Sequence, residues 1–335
     1  MSAPPANLRA GARPPAAAAS LLILALLALG CAPNGDPSLT EASSLSPVVL
    51  KPAERLRVAA TSSIVSDVVS AVGGYEIELT LLIPIGVDPH SYQPAPQDLA
   101  AVARAHVVFA NGFGLEDSLL ETLSLAAEQT PVVSVSAGVS PRRLGDFGPG
   151  PEGGSGSRDN AIDPHVWLDP TNVMAWVRTI ERALSALTPD NAAVYRANAL
   201  AYLSQLEDLH TWIGEEVSRI SSESRRLVTD HDSIGYFADR YGFKFVGAVT
   251  SGFSTAAEPS ARELVALQER IAVLRVRAVF VETTIDPLVA ARMAEDTGIV
   301  VLPLYSGSLS TPVGPAPTYL EMMRHNVRTI IEGLG

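Results

Sequence analysis

Short apolar runs alternate with longer amphipathic stretches along this chain. The runs fall at 56–60, 77–83, 106–110 and 131–135 in the first half and at 226–229, 244–249, 278–282 and 299–304 in the second. They read as buried strands, because a strand covered on both faces has no polar side to alternate with. Residues 64–72, 260–274, 286–297 and 318–334 read as helices. Strands interleaved with helices predict parallel α/β units rather than an all-helical or all-β fold. The expectation is an α/β protein of two lobes, 55–188 and 221–335, each with a mostly parallel sheet flanked by helices.

Residues 189–220 lie between the halves. Val194, Ala197, Ala201, Leu203, Leu206 and Leu209 recur there in rough helical period, Pro189 suits a first turn, and no Gly or Pro follows before Gly214. If continuous, about 30 residues at ~1.5 Å each make a helix of roughly 45 Å, a rigid spine joining the lobes. Two shorter helices packed within one lobe is the other reading. Residues 141–160 contain the run Gly-Pro-Gly-Pro-Glu-Gly-Gly-Ser-Gly-Ser, which has little apolar area to bury and predicts a mobile surface loop.

The N-terminal residues place the protein outside the cytoplasm. Arg9 and Arg13 precede the apolar run 21–29, and the first thirty residues hold no acid, which is the pattern of a secretory signal. The run is too short to span a bilayer, which needs about 20 apolar residues. Cys31 is the only cysteine, so it has no partner within the chain for a disulfide. Its place after Leu29-Gly30 resembles the bacterial lipobox, with Ala28 where leucine is usual, and implies a lipidated Cys31 at a new N-terminus. An ordinary cleaved signal with an incidental cysteine stays open. Residues 32–54, rich in Pro, Ser, Gly and Asn, suit a flexible tether. The whole chain has 24 basic and 36 acidic residues; without residues 1–30 the net charge is near −14, which argues against nucleic acid as a partner.

Candidate chemistry concentrates in three histidines, each with an aspartate just before it: Asp88-Pro89-His90, Asp163-Pro164-His165 and Asp230-His231. Imidazole is the commonest protein ligand for transition metals. The separations of 75 and 66 residues exclude a local finger, so any site is built by tertiary structure. Each histidine sits where a strand candidate or loop gives way to the next element, and ligands of open α/β sheets collect at the carboxyl ends of strands. The aspartates either orient ring nitrogens or cap the helices that follow. His106, His210 and His325 read as structural or exposed.

The surrounding motifs carry a resemblance. Gly86-Val-Asp-Pro-His90-Ser-Tyr-Gln-Pro-Ala-Pro-Gln-Asp98, Asp163-Pro-His165-Val-Trp-Leu-Asp169-Pro and His231-Asp-Ser-Ile-Gly-Tyr-Phe-Ala-Asp-Arg-Tyr-Gly242 are similar to segments of the zinc and manganese solute-binding lipoproteins of bacterial ABC transporters. So are Asn111-Gly112 with Glu116, Glu258-Pro-Ser260, Val279-Phe-Val-Glu282 and Thr318-Tyr-Leu-Glu-Met-Met-Arg-His-Asn326, in order across residues 55–335. The resemblance implies two α/β lobes joined by one long helix, a divalent metal held in the cleft between them, and delivery to an ABC permease. It also implies a lipid-anchored, extracytoplasmic protein, expected as a monomer. It assigns the first three ligands to His90 and His165 from the first lobe and His231 from the second. The family's fourth ligand is commonly an aspartate in a Tyr-x-Asp-Ser-Leu segment. Here that stretch is Tyr305-Ser306-Gly307-Ser308-Leu309, and Gly307 has no side chain to donate. The fourth donor is then water, Glu282 or another carboxylate, or absent, with bracing of a loop the alternative role for Glu282. The loop 141–160 also lacks the histidine-rich stretch common in zinc-specific members.

Three imidazoles suit Zn²⁺, while manganese members of the family pair two histidines with two carboxylates, so zinc is the expected metal and manganese the alternative. Three histidines and a water also describe a zinc hydrolase, but no His-Glu-x-x-His helix, Gly-x-Ser-x-Gly elbow or phosphate loop accompanies them, and no enzyme is expected. A surface adhesin or interaction protein that keeps the fold without metal is the third class.

Overall fold

The computed structural model describes Met1 and residues 39–126, 129–143, 161–253, 255 and 258–335. The signal segment, Cys31 and the glycine-rich run of the 141–160 loop lie outside them. In the first half the order is β1 (Leu56–Ala60), α1 (Ser63–Gly73), β2 (Ile77–Leu81), α2 (Pro96–Arg104), β3 (Val107–Ala110), α3 (Asp117–Ala126) and β4 (Val132–Ser134). Two helices follow, α4 (Pro170–Leu187) and α5 (Ala192–Ser218). The second half runs β5 (Arg226–Thr229), α6 (Gly235–Tyr241), β6 (Lys244–Ala248), α7 (Ala261–Leu274), β7 (Ala278–Glu282), α8 (Leu288–Thr297), β8 (Val300–Leu304) and α9 (Tyr319–Leu334).

The two sheets share one topology. Their orders are β2-β1-β3-β4 and β6-β5-β7-β8, with every pairing parallel. β3 and β7 are buried along their whole length, as continuous apolar runs in a covered parallel sheet require. The helix starts are written in side chains: Ser62, Ser260 and Thr318 accept the N–H of Val65, Glu263 and Glu321, respectively. Residues 260 and 318, expected inside helices, are therefore their caps.

The spine is a single helix. A 3₁₀ turn over Pro189–Asn191 precedes α5, whose 27 residues span about 40 Å. The buried face differs from the expected one. Tyr195, Ala199, Tyr202, Leu206, Leu209, Ile213 and Val217 face inward, while Val194, Ala197 and Ala201 are exposed. Two tyrosine rings replace the small aliphatic positions as the packing surface. α5 packs against α1 of the first half and α9 of the second, so it is a wall common to both sheets. It also packs on α4, an 18-residue helix not assigned from the sequence, started by the Asp169 cap and Pro170 and buried through Val173, Trp176, Val177, Ile180 and Leu184. Leu206 is fully buried in this shared core, so Leu206→Ala is expected to cost about 2–5 kcal/mol, measured by denaturant unfolding.

Most of the described part of the expected tether is docked. Thr40 donates its N–H to the Val132 carbonyl at 2.7 Å, Val48 donates to the Leu187 carbonyl at 2.8 Å, and Leu45, Val48 and Leu50 pack against the core. Proline and serine in 39–50 hid three apolar contacts with no regular period. His106, expected in a strand, lies just before β3, where its Nδ1 accepts the Arg57 backbone N–H at 3.1 Å.

Candidate metal centre

All three histidines stand at the carboxyl ends of strands or at the entry to α4. β2 ends at Leu81, and the chain continues with Leu82 and Ile83 donating to the Ala60 and Thr61 carbonyls. The turn closed by the Val87 N–H on the Pro84 carbonyl then brings His90 over the sheet end. His165 precedes a 3₁₀ turn over Val166–Leu168 that leads into α4. His231 lies two residues past β5.

The aspartates divide between two tasks. Asp163 Oδ1 lies 2.9 Å from His165 Nδ1 and 3.0 Å from its backbone N. Asp230 Oδ1 lies 3.1 Å from His231 Nδ1 and 2.8 Å from its backbone N. Both carboxylates therefore hold the ring proton at Nδ1 and leave the Nε2 lone pair facing inward. Asp88 instead takes the His90 backbone N–H at 2.9 Å, the Ser91 hydroxyl at 3.0 Å and the Thr255 hydroxyl at 2.6 Å, so it fixes the turn and not the ring.

The three Nε2 atoms converge. His165 Nε2 is 3.0 Å from that of His90 and 3.2 Å from that of His231. One donor atom from each ring lies within 4.8 Å of the others. A tetrahedral ion with metal–nitrogen bonds of ~2.0–2.1 Å sets its nitrogens about 3.4 Å apart, so the His90–His165 and His165–His231 pairs already stand near the spacing of one coordination shell. His165 and His231 are buried and His90 is half-buried.

Burial and neighbouring charge set the protonation of the three rings differently. Burial, then the neighbouring imidazoles, hold the pKa of His90 well below the ordinary histidine range, and burial followed by His231 does the same to His165. Burial opposes the charge on His231 too, but the Asp230 carboxylate outweighs it and carries His231 up to about 9. Burial pushes Asp163 up to about 8 and Glu282 up to about 7. Glu282 is fully buried at the end of β7; its Oε2 lies 3.8 Å from His231 Nε2 and accepts the Ser306 hydroxyl at 3.0 Å, and the Thr284 hydroxyl donates to Oε1.

Several supporting residues lie in the segments that carry the resemblance, but their roles were not legible there. Asn111, after β3, donates to the Pro164 carbonyl at 3.0 Å and so anchors the His165 segment. Trp167 sets its ring edge-on to His165, with centroids 5.4 Å apart, and donates its indole N–H to the Ser306 carbonyl at 2.7 Å. Tyr236 of α6 donates to the Asp163 carbonyl at 3.2 Å. The other histidines do structural work: His210 Nδ1 meets the Tyr241 hydroxyl at 2.9 Å and His325 lies edge-on to Tyr305. Replacing Asp230 by asparagine removes the charge that orients His231 and is expected to weaken metal binding about 10- to 100-fold in calorimetry.

Paired parallel sheets, one long helix and a convergent imidazole cluster at the strand ends define a two-lobed metal-binding protein. The chain belongs to the family described as ZnuA, zinc-uptake complex component A periplasmic, whose model matches residues 58–333. Its members are substrate-binding proteins of ABC transporters and not enzymes, which closes the hydrolase reading. The manganese-binding lipoprotein MntA of Halalkalibacterium halodurans is 32% identical over 315 residues, covering 94% of this chain and 96% of that protein. The iron ABC transporter substrate-binding lipoprotein MtsA of Streptococcus pyogenes is 31% identical over 84% of this chain and 89% of its own. Among solved structures, the periplasmic zinc-binding protein TroA of Treponema pallidum superposes with a TM-score of 0.74 at 28% identity, over 84% of this chain and 100% of that one.

Proposed function

We propose that this protein captures Zn²⁺ outside the cytoplasm, on His90, His165 and His231, and hands it to an ABC permease. The observation that carries the reading is the convergence of three Nε2 atoms, two of them on rings whose Nδ1 is held by a buried aspartate. A nitrogen-rich donor set suits zinc better than manganese, which favours oxygen donors. Residues 1–31 act as a lipoprotein signal with Cys31 lipidated, and the chain works as a membrane-tethered monomer of two lobes, 55–188 and 221–335. α5 limits hinge opening because it packs on both halves, so release follows from small lobe or loop shifts imposed by the permease.

A manganese cargo is the second reading, favoured by the 32% identity to a protein named as manganese-binding. Competition titration of zinc against manganese, with elemental analysis of the loaded protein, separates the two. The expected result is one ion per chain with zinc bound more tightly by about 100-fold or more, roughly 2.7 kcal/mol. Tighter manganese binding overturns zinc in favour of manganese.

A further inference from the structure

Helix α6 begins four residues after His231, and the link between them is stiff: the His231 carbonyl accepts the Ser233 N–H at 2.8 Å and the Thr229 hydroxyl at 2.6 Å. What α6 holds is therefore held in fixed relation to that ring. Tyr236, Asp239 and Arg240 stand at i, i+3 and i+4 and share one face of the helix. That face grips the first half of the chain on both sides of His165.

Before His165, the Tyr236 hydroxyl accepts the Arg142 N–H at 2.8 Å and donates to the Asp163 carbonyl at 3.2 Å, while the Asp239 carboxylate accepts the Arg142 Nε–H at 2.5 Å. Arg142 passes the grip on: its carbonyl accepts the Asp163 N–H at 2.8 Å, and its guanidinium lies 3.8 Å from Asp163 Oδ2. After His165, Arg240 donates its Nε–H to Asp169 Oδ2 at 2.7 Å and a terminal N–H to the Thr171 hydroxyl at 2.9 Å, at the start of α4. The Arg142 side chain is 8% exposed and that of Asp169 4%, so each ion pair keeps one partner out of solvent, where screening is weaker. His90 is held by other means, through Asp88 and its bond to Thr255.

We infer that α6 is a clamp across the two halves: Tyr236, Asp239 and Arg240 position His165 against His231, so that these two imidazoles meet the ion as one prealigned pair. This rests on the three-imidazole reading and adds positioning residues to it. Prealignment removes an ordering cost from binding, so losing it weakens affinity even with every donor atom still present.

The test is Tyr236→Phe combined with Arg240→Met on the full chain, which cuts both grips and keeps most of the bulk of each side chain. Zinc affinity is read by competition with a chromophoric chelator in the wild-type, His90→Ala and His231→Ala backgrounds, with circular dichroism to check the fold. The clamp variant is expected to lose about 10- to 100-fold in the first two backgrounds. In His231→Ala it is expected to stay within about twofold, because His90 and His165 both belong to the first half and need no alignment across it. A merely structural role for α6 would weaken all three alike. Arg240→Met alone, at a side chain 44% exposed, is the milder cut and carries the same comparison if the double variant does not fold, with an expected loss of about tenfold. Wild-type affinity in the clamp variants, or an equal loss in the His231→Ala background, overturns the clamp. His165→Ala, run alongside, separates the levels: loss of zinc there leaves the three imidazoles standing whatever the clamp variants do, and unchanged zinc binding there sinks the three-imidazole reading and the clamp with it.

Discussion

Replacing His165 by alanine is expected to reduce zinc affinity by about 10³-fold while the chain stays folded. His165 is the central ring of the cluster, 3.0 Å from His90 and 3.2 Å from His231 at Nε2, whereas the His90 and His231 rings meet edge-on with centroids 5.6 Å apart. Structural zinc sites hold about 10–16 kcal/mol over roughly four donors, so one donor is worth about 3–4 kcal/mol, or roughly 150- to 900-fold. The fold should survive because alanine keeps the backbone N–H that bonds Asp163. Arg142 stays 3.8 Å from Asp163 Oδ2, so the carboxylate is not left as a buried charge without a counterion. Calorimetry gives the affinity, and circular dichroism shows whether the helices persist. Wild-type affinity in His165→Ala would remove the cluster as the site.

Affinity is expected to fall as the pH is lowered from about 9, by about tenfold or more per unit, because a proton and the ion compete for the same lone pair. The sign follows from His231. The Asp230 carboxylate raises its pKa to about 9, so at pH 7 the ring carries a proton that coordination must displace. His90 and His165 are held well below the ordinary range and add no competition there. Asp163, pushed to about 8, and Glu282, pushed to about 7, act in the same direction, since each must ionise to support the cation. Titration in buffers of different ionisation enthalpy should show at least one proton released per zinc at pH 7. An affinity flat between pH 6 and 9 contradicts this account.

Among the described residues, sequence periodicity located the eight strands to within about two residues because both sheets are parallel and covered, which writes each strand as an apolar run. The helices were less legible. α4 escaped because its buried face mixes Trp176 and Met174 with Thr179, and the face of α5 was misjudged because Tyr195 and Tyr202 carry the packing and the exposed Val194 and Ala201 do not. The three histidines stood out through their repeated aspartates, but the roles of those aspartates did not: Asp163 and Asp230 turn back onto their own rings, while Asp88 holds backbone and Thr255. Glu282 and Gly307 are 25 positions apart, and only the parallel pairing of β7 with β8, which sets Glu282 beside Leu304, brings them into contact.

The central claim is a place: one ion among three Nε2 atoms. Anomalous diffraction at the zinc edge from crystals of the zinc-loaded protein tests it most directly. The account predicts a single strong peak at bonding distance, ~2.0–2.1 Å, from Nε2 of His90, His165 and His231. A peak elsewhere on the chain, or none between these rings, contradicts it.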